Sequence, residues 1–70
     1  MSEDILSDED RVKNLLKAQD GRMYQKEIVA TVGWSDAKVS LLLSDMADEG
    51  EVHALRIGRD RIVSLTPLID

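Results

Sequence analysis

The sequence predicts a mainly α-helical domain with a small β-hairpin, in which three helices are followed by two strands. Two observations predict this order. Apolar residues recur at helical spacing in three segments before Gly50, and β-branched residues flank a glycine-containing turn after it. The length of 70 residues suits one small domain. We expect this domain to span residues 7–66, with residues 1–6 as a disordered acidic arm and residues 67–70 as a tail.

The first helix is expected to begin after Ser7, because a serine hydroxyl can accept a hydrogen bond from a free amide group of the first turn. Acidic residues 8–10 then lie where the helix dipole favours negative charge. The side chains that share one face at helical spacing are Val12, Leu15, Leu16 and Gln19. Gly21 follows Asp20 and is expected to end this helix, since glycine readily adopts a left-handed conformation.

A second, shorter helix is predicted from about residue 25 to residue 32, with Ile28 and Val32 facing inward and Val29 at the edge. Gly33 ends it. Trp34 follows this glycine and is expected to anchor the crossing of the second and third helices. Tyr24 is expected to pack at the entry to the second helix.

The third helix is predicted from residue 36 to about residue 49, with Ser35 as its cap and Gly50 at its end. At about 100° per residue, one side presents an apolar stripe to the core. The residues of this stripe are Val39, Leu42, Leu43, Met46 and Ala47. The opposite side near the helix start presents Ala37, Ser40, Leu41 and Ser44. Leu41 lies across from the core and is either an ordinary exposed leucine or a contact residue.

The hairpin is predicted to consist of strands 52–57 and 61–65 around the turn Gly58-Arg59-Asp60. Val63 and Leu65 share a face of the second strand and should pack inward. The hairpin is basic, with Arg56, Arg59 and Arg61 against a single acid. Three arginines clustered at the tip of a hairpin favour a binding surface over a merely solvated turn.

The formal net charge of −5 is unevenly distributed along the chain. Residues 1–10 hold five acids and no base, whereas the remaining residues hold nine acids and nine bases. The chain thus combines an acidic arm, a neutral body and a basic tip. The overall acidity is also consistent with adaptation to high salt. Residues 35–49 carry one lysine against four acids, which predicts modest affinity for nucleic acid.

Several classes of function are excluded or disfavoured by composition. The absence of cysteine excludes disulfide bonds and thiolate zinc sites, and the single histidine, His53, offers no second ligand of its kind. We therefore expect neither a metal nor a cofactor. No nucleophile–base pair or phosphate-binding loop is present, so we expect no enzyme activity. No apolar run approaches the roughly 20 residues that span a bilayer, and we expect a cytoplasmic protein.

The run 25–44 resembles a helix-turn-helix motif. Gly33 matches the turn glycine of the motif, and the residues that match its apolar positions are Ile28, Val32, Trp34, Val39 and Leu42. With Gly50-Glu51-Val52 and the basic hairpin that follows, residues 8–66 resemble winged helix-turn-helix regulators of the MarR, IclR and TrmB type. Four segments are especially similar to small haloarchaeal winged-helix domains: Gly21-Arg22-Met23, Gly33-Trp34-Ser35, Ala37-Lys38-Val39-Ser40 and Ile57-Gly58-Arg59.

The resemblance implies a small transcriptional regulator that binds double-stranded DNA sequence-specifically, with the third helix in the major groove. The residues that would correspond to base-reading positions are Ser35, Asp36, Ala37, Ser40, Leu41 and Ser44. Lys38 and the hairpin residues Arg56, Arg59 and Arg61 would contact phosphates. The chain departs from relatives of this type at Leu41, where an arginine is frequent, and near Asp45, where another is found.

Two questions of partnership stay open at this stage. The alternative to DNA binding is a winged helix that serves as a protein-interaction module and does not bind DNA, with Leu41 in the contact. A homodimer is also compatible with the sequence. Because the chain lacks the long dimerisation helices of many relatives, pairing would use the first helix or the hairpin.

Overall fold

The structure is a computed structural model that describes residues 7–68. The elements in chain order are α1 (Asp8–Ala18), β1 (Arg22–Tyr24), α2 (Gln25–Val32), α3 (Asp36–Asp48), β2 (His53–Ile57) and β3 (Asp60–Ser64). The predicted α+β class, with three helices before a hairpin, is confirmed, and the arrangement is compatible with a winged helix. The expected arm 1–6 and the last two residues of the expected tail lie outside the described residues.

Serine caps and glycine stops set the bounds of the helices, as the sequence predicted. Ser7 Oγ accepts a hydrogen bond of 3.1 Å from the Asp10 N–H, and Ser35 Oγ accepts one of 3.1 Å from the Lys38 N–H. Gly33 ends α2 with a φ of 76°, which a residue with a Cβ rarely adopts. Within residues 7–68, no helix combines the length and the apolar character needed to cross a membrane.

The sheet contains three strands where the sequence predicted two. The additional strand β1 lies between α1 and α2 and pairs antiparallel with β3, so that the strand order is β1-β3-β2. Three residues are too few to show a strand period in the sequence. Tyr24 is both the last residue of β1 and the N-cap of α2, so it lies at the entry to α2 as expected, and its N–H donates to Glu27 Oε1 over 3.1 Å.

The hairpin strands are offset by one residue from the predicted ones. Ile57 pairs with Asp60, so the turn contains only Gly58 and Arg59, and Asp60 belongs to the strand. A two-residue hairpin turn requires a positive φ, and Gly58 supplies it with a φ of 63°. The shorter turn places Arg59 at the tip, directly after the glycine.

The core lies between the three helices and one face of the sheet. Its buried apolar residues are Val12, Leu16, Met23, Ile28, Val39, Leu43, Met46, Val52 and Val63. The predicted inward stripes are too wide, because Gln19 and Ala47 are exposed and Leu42 is only half-buried. A domain of this size has too few elements to cover the flanks of every helix. Trp34 packs against the core, as its predicted anchoring role requires.

Candidate functional site

A groove of about 370 Å³ lies between the start of α2, the first turns of α3 and the hairpin. The residues that line it are Gln25, Lys26, Asp36, Ser40, Arg56, Arg59, Asp60 and Arg61. Four of these side chains are cationic and two are carboxylates. The groove is therefore positive in a chain whose net charge is −5.

The register of the hairpin delivers the arginines to the groove. Arg56 and Arg61 are cross-strand partners, so their side chains lie on the same face of the sheet. Arg61 is two residues from the buried Val63, which places this pair on the face that the helices cover. Two like charges directly opposite each other weaken a sheet. A neighbouring anion would relieve the repulsion between these arginines.

The first turns of α3 form the opposite wall of the groove. Asp36 and the half-buried Ser40 line it, whereas Ala37, Leu41 and Ser44 lie on the adjoining exposed surface of the helix. The Leu41 side chain is 70% exposed, which agrees with its predicted place across from the core. The structure thus brings five of the predicted site residues into one groove and leaves the others beside it.

Lys38 is directed away from the groove. Its Nζ atom lies 3.2 Å from Asp8 Oδ2, at the start of α1, and 4.4 Å from the centroid of the Trp34 ring. A lysine held by a carboxylate and an aromatic face must leave both before it can contact a phosphate. The Ser35 hydroxyl is also engaged, since its oxygen caps α3.

Sequence reasoning missed three residues of the groove: Asp60 in the hairpin, and Gln25 and Lys26 at the start of α2. Lys26 Nζ lies 3.6 Å from Asp60 Oδ1 and 5.8 Å from the centroid of the Tyr24 ring. Gln25 Oε1 is buried, and no described residue donates a hydrogen bond to it. No local signal in the sequence would have placed Gln25 and Lys26 in the groove, because the pairing of β1 with β3 brings the start of α2 beside the hairpin.

A second charged cluster, which we call the acidic cluster, lies at the far end of α3. It consists of Glu9, Glu49 and Glu51, whose carboxylate oxygens lie within 4.8 Å of one another. Partial burial and the nearby charges of Glu49 and Glu51 raise the pKa of Glu9 above its ordinary value. Lys13 offsets part of the repulsion, with its Nζ 3.2 Å from Glu51 Oε1. The groove and the acidic cluster therefore carry opposite charge.

Three helices packed on a three-stranded antiparallel sheet, with a basic groove between α3 and the hairpin, define a small α+β domain of winged-helix-like arrangement. The chain belongs to the family described as Domain of unknown function (DUF7343), whose model matches residues 5–66. Neither the curated proteins nor the solved structures contain a significant match to the chain.

Proposed function

We propose that this protein binds double-stranded DNA sequence-specifically and acts as a small transcriptional regulator in the cytoplasm. The observation that best supports the proposal is the groove, in which Lys26, Arg56, Arg59 and Arg61 converge beside the first turns of α3. Duplex DNA carries one negative charge for about every 1.7 Å of its axis, so a basic rim beside an exposed helix matches its surface.

Sequence reading would come from the exposed face of α3 in the major groove. Ala37 and Leu41 offer apolar contact to thymine methyl groups, and the Ser44 hydroxyl can donate to or accept from a base edge. Small residues on this face let the helix approach the base pairs closely. The arginines of the hairpin would hold the phosphates on either side and fix the orientation of the helix.

Asp36 would restrict the DNA sequences that the proposed interface binds. Its carboxylate lines the groove in the first turn of α3, where it would repel a phosphate. The same carboxylate can accept a hydrogen bond from the amino group of cytosine. We therefore expect a preference for cytosine at the base pair that lies closest to Asp36.

The affinity of one copy for DNA should be modest. Asp36 and Asp60, the two carboxylates of the groove, would repel phosphates. Asp60 also reduces the positive charge that Lys26 offers, because the two side chains form an ion pair. Lys38 is held by Asp8. Two copies bound side by side would compensate for the weakness of each contact, with half-sites about 34 Å apart on the duplex.

A titration of labelled duplex DNA by fluorescence anisotropy, repeated over a range of salt concentrations, tests the proposal. Each phosphate contact should contribute about −0.9 to the slope of log affinity against log salt, so the triple change of Arg56, Arg59 and Arg61 to alanine should reduce the slope by roughly 3. The matched control replaces Arg11, Lys17 and Arg22 with alanine, three exposed cations outside the groove, and should change the slope little. Equal losses in both variants, or no binding of the wild type at low salt, would reject the proposed interface.

The exposed Leu41 side chain favours one second candidate function, that of a protein-interaction module that does not bind DNA. The substitution Leu41→Arg separates the two candidates. If α3 lies on DNA, the added positive charge should tighten duplex binding. If Leu41 contacts a protein partner, the same change should abolish that contact and leave DNA binding absent.

A further inference from the structure

Strand β2 is an open edge of the sheet. In the strand order β1-β3-β2 it pairs with β3 on one side, and no strand within residues 7–68 covers its other side. Proteins protect such edges with charged side chains, proline, a bulge or a very short strand. β2 has five residues, His53–Ile57, with no proline and no lysine among them, and Arg56 is its one basic residue of the Lys/Arg type. Its outward backbone groups are therefore open to pairing with another strand.

Two of the three exposed large apolar side chains within residues 7–68 lie on this strand, and the third is Leu41 of α3. Leu55 and Ile57 are each 49% exposed and, being two residues apart, lie on the same face of the strand. Ile62, the cross-strand partner of Leu55, extends this apolar surface onto β3. Arg56 points to the opposite face and lines the groove. The apolar surface thus lies on the face of β2 that is opposite to the groove.

We propose that a second copy of this chain binds here, with β2 pairing antiparallel to β2 in a continuous six-stranded sheet. The sequence of the strand is complementary to itself when the pairing is centred on Leu55. In that register Leu55 faces Leu55, Ala54 faces Arg56 and His53 faces Ile57, so that no like charges are directly opposite. Centring on Arg56 would place two arginines directly opposite each other, so the pairing centred on Leu55 is favoured over that one.

The symmetry of this pairing places both grooves on the same face of the joined sheet. The two-fold axis that relates antiparallel neighbours stands perpendicular to the sheet, so the helices of both copies lie on the same face of the joined sheet. The contact comprises only five residue pairs, far fewer than the 20–30 residues a side that a standard interface uses. We therefore expect a weak dimer whose population rises with protein concentration. The pairing requires no DNA and is independent of the proposed function.

Sedimentation velocity without DNA, measured from micromolar to millimolar protein, tests the pairing. The wild type should shift from monomer to dimer over this range. Leu55→Lys and Leu55→Glu each place like charges against each other across the axis, so each variant alone should stay monomeric. An equimolar mixture of the two variants should form a heterodimer, because lysine then faces glutamate. Ala47→Lys, which adds the same charge on the exposed end of α3, should dimerise as the wild type does.

Three results would overturn the proposal: a wild type that stays monomeric at millimolar concentration, a Leu55→Lys variant that dimerises like the wild type, or a mixture that stays monomeric. Amide hydrogen exchange of the wild type provides a measurement that needs no variant. Protection of the outward amides of β2 should increase with concentration, while protection of the β1 amides stays constant. Protection of β2 that does not depend on concentration would also contradict the pairing.

Discussion

The two ends of α3 carry opposite electrostatic environments. At its start, Asp36 and Ser40 line a groove that four cations share. At its end, Glu49 meets Glu9 and Glu51 in the acidic cluster. The helix has 13 residues, so about 20 Å separates these environments. Positive charge therefore lies near the start of α3 and negative charge near its end, and the net charge of −5 does not show this separation.

The difference between the ends concerns what relieves the repulsion at each. In the groove, Arg56 and Arg61 lie opposite each other across the hairpin, and an anionic ligand would reduce the repulsion between their charges. In the acidic cluster, carboxylates repel one another beside the negative end of the α3 dipole, and no basic residue stands in the last turn. Protonation of one carboxylate would reduce the repulsion in the acidic cluster. We therefore expect ligand binding at the start of α3 and pH sensitivity of Glu9 at its end.

The largest expected effect is the loss of DNA binding when the groove is neutralised. Each phosphate contact contributes roughly tenfold in affinity near 0.1 M salt, so the triple Arg→Ala variant should bind on the order of a thousandfold more weakly. The double variant Glu9→Gln/Glu49→Gln, at the other end, should change affinity only severalfold. Anisotropy titrations of both variants measure the contrast. Comparable effects would show that total charge, not its position, controls binding.

A smaller effect is expected at Gln25. Because no described residue pairs with its buried Oε1, its amide can turn toward a base without breaking a hydrogen bond. A glutamine–adenine pair contributes about 1–3 kcal/mol of discrimination, so Gln25→Met should lower sequence preference by roughly 5- to 150-fold and leave the salt slope unchanged. Competition titrations with duplexes that differ at single base pairs measure this preference. Gln19→Met, on the exposed end of α1, is the control, and equal preference in both variants would remove Gln25 from the interface.

The contact between Lys38 and Asp8 predicts a gain of affinity. Asp8→Asn would release Lys38 Nζ from its partner at 3.2 Å and make it available to a phosphate, so duplex binding should tighten severalfold at low salt. Asp10→Asn makes the same change of net charge in the same turn without touching Lys38, and should have a smaller effect. If the two variants bind equally, the ion pair does not restrain Lys38.

The smallest expected effect is on stability at the acidic end. The pKa of Glu9 is raised above 4.5 in the folded state, so folded chains hold this proton more tightly than unfolded ones. The contribution of Glu9 to the free energy of unfolding is therefore lost as the pH rises from 4.5 through the raised pKa. Glu9→Gln should raise the Tm slightly at neutral pH, and the gain should vanish below pH 4.5. Thermal unfolding monitored by circular dichroism over a pH series measures this gain. If Glu9→Gln still raised the Tm at low pH, repulsion between the carboxylates could not be the cause of the gain.

Local signals in the sequence predicted most of the fold, whereas contacts between distant residues were not predictable. Ser7, Ser35 and Gly33 act within their own turns, and their roles follow from residue type alone. Strand β1 exists only because β3 pairs with it, so three residues of local sequence could not reveal it. The same holds for the site. The arginines are local to the hairpin, but the attachment of Lys38 to Asp8 depends on how α1 packs against α3.

An amide-shift NMR titration with mixed-sequence duplex DNA, at low and at molar salt, tests the central claim most directly. The account predicts shifts at residues 25–26, 35–44 and 56–61 that disappear at molar salt, while Glu49 and Glu51 in the acidic cluster stay unchanged. A well-dispersed spectrum that does not respond to DNA at low salt would contradict the proposed function. Shifts centred on the acidic cluster would contradict the assignment of ligand binding to the basic end of α3.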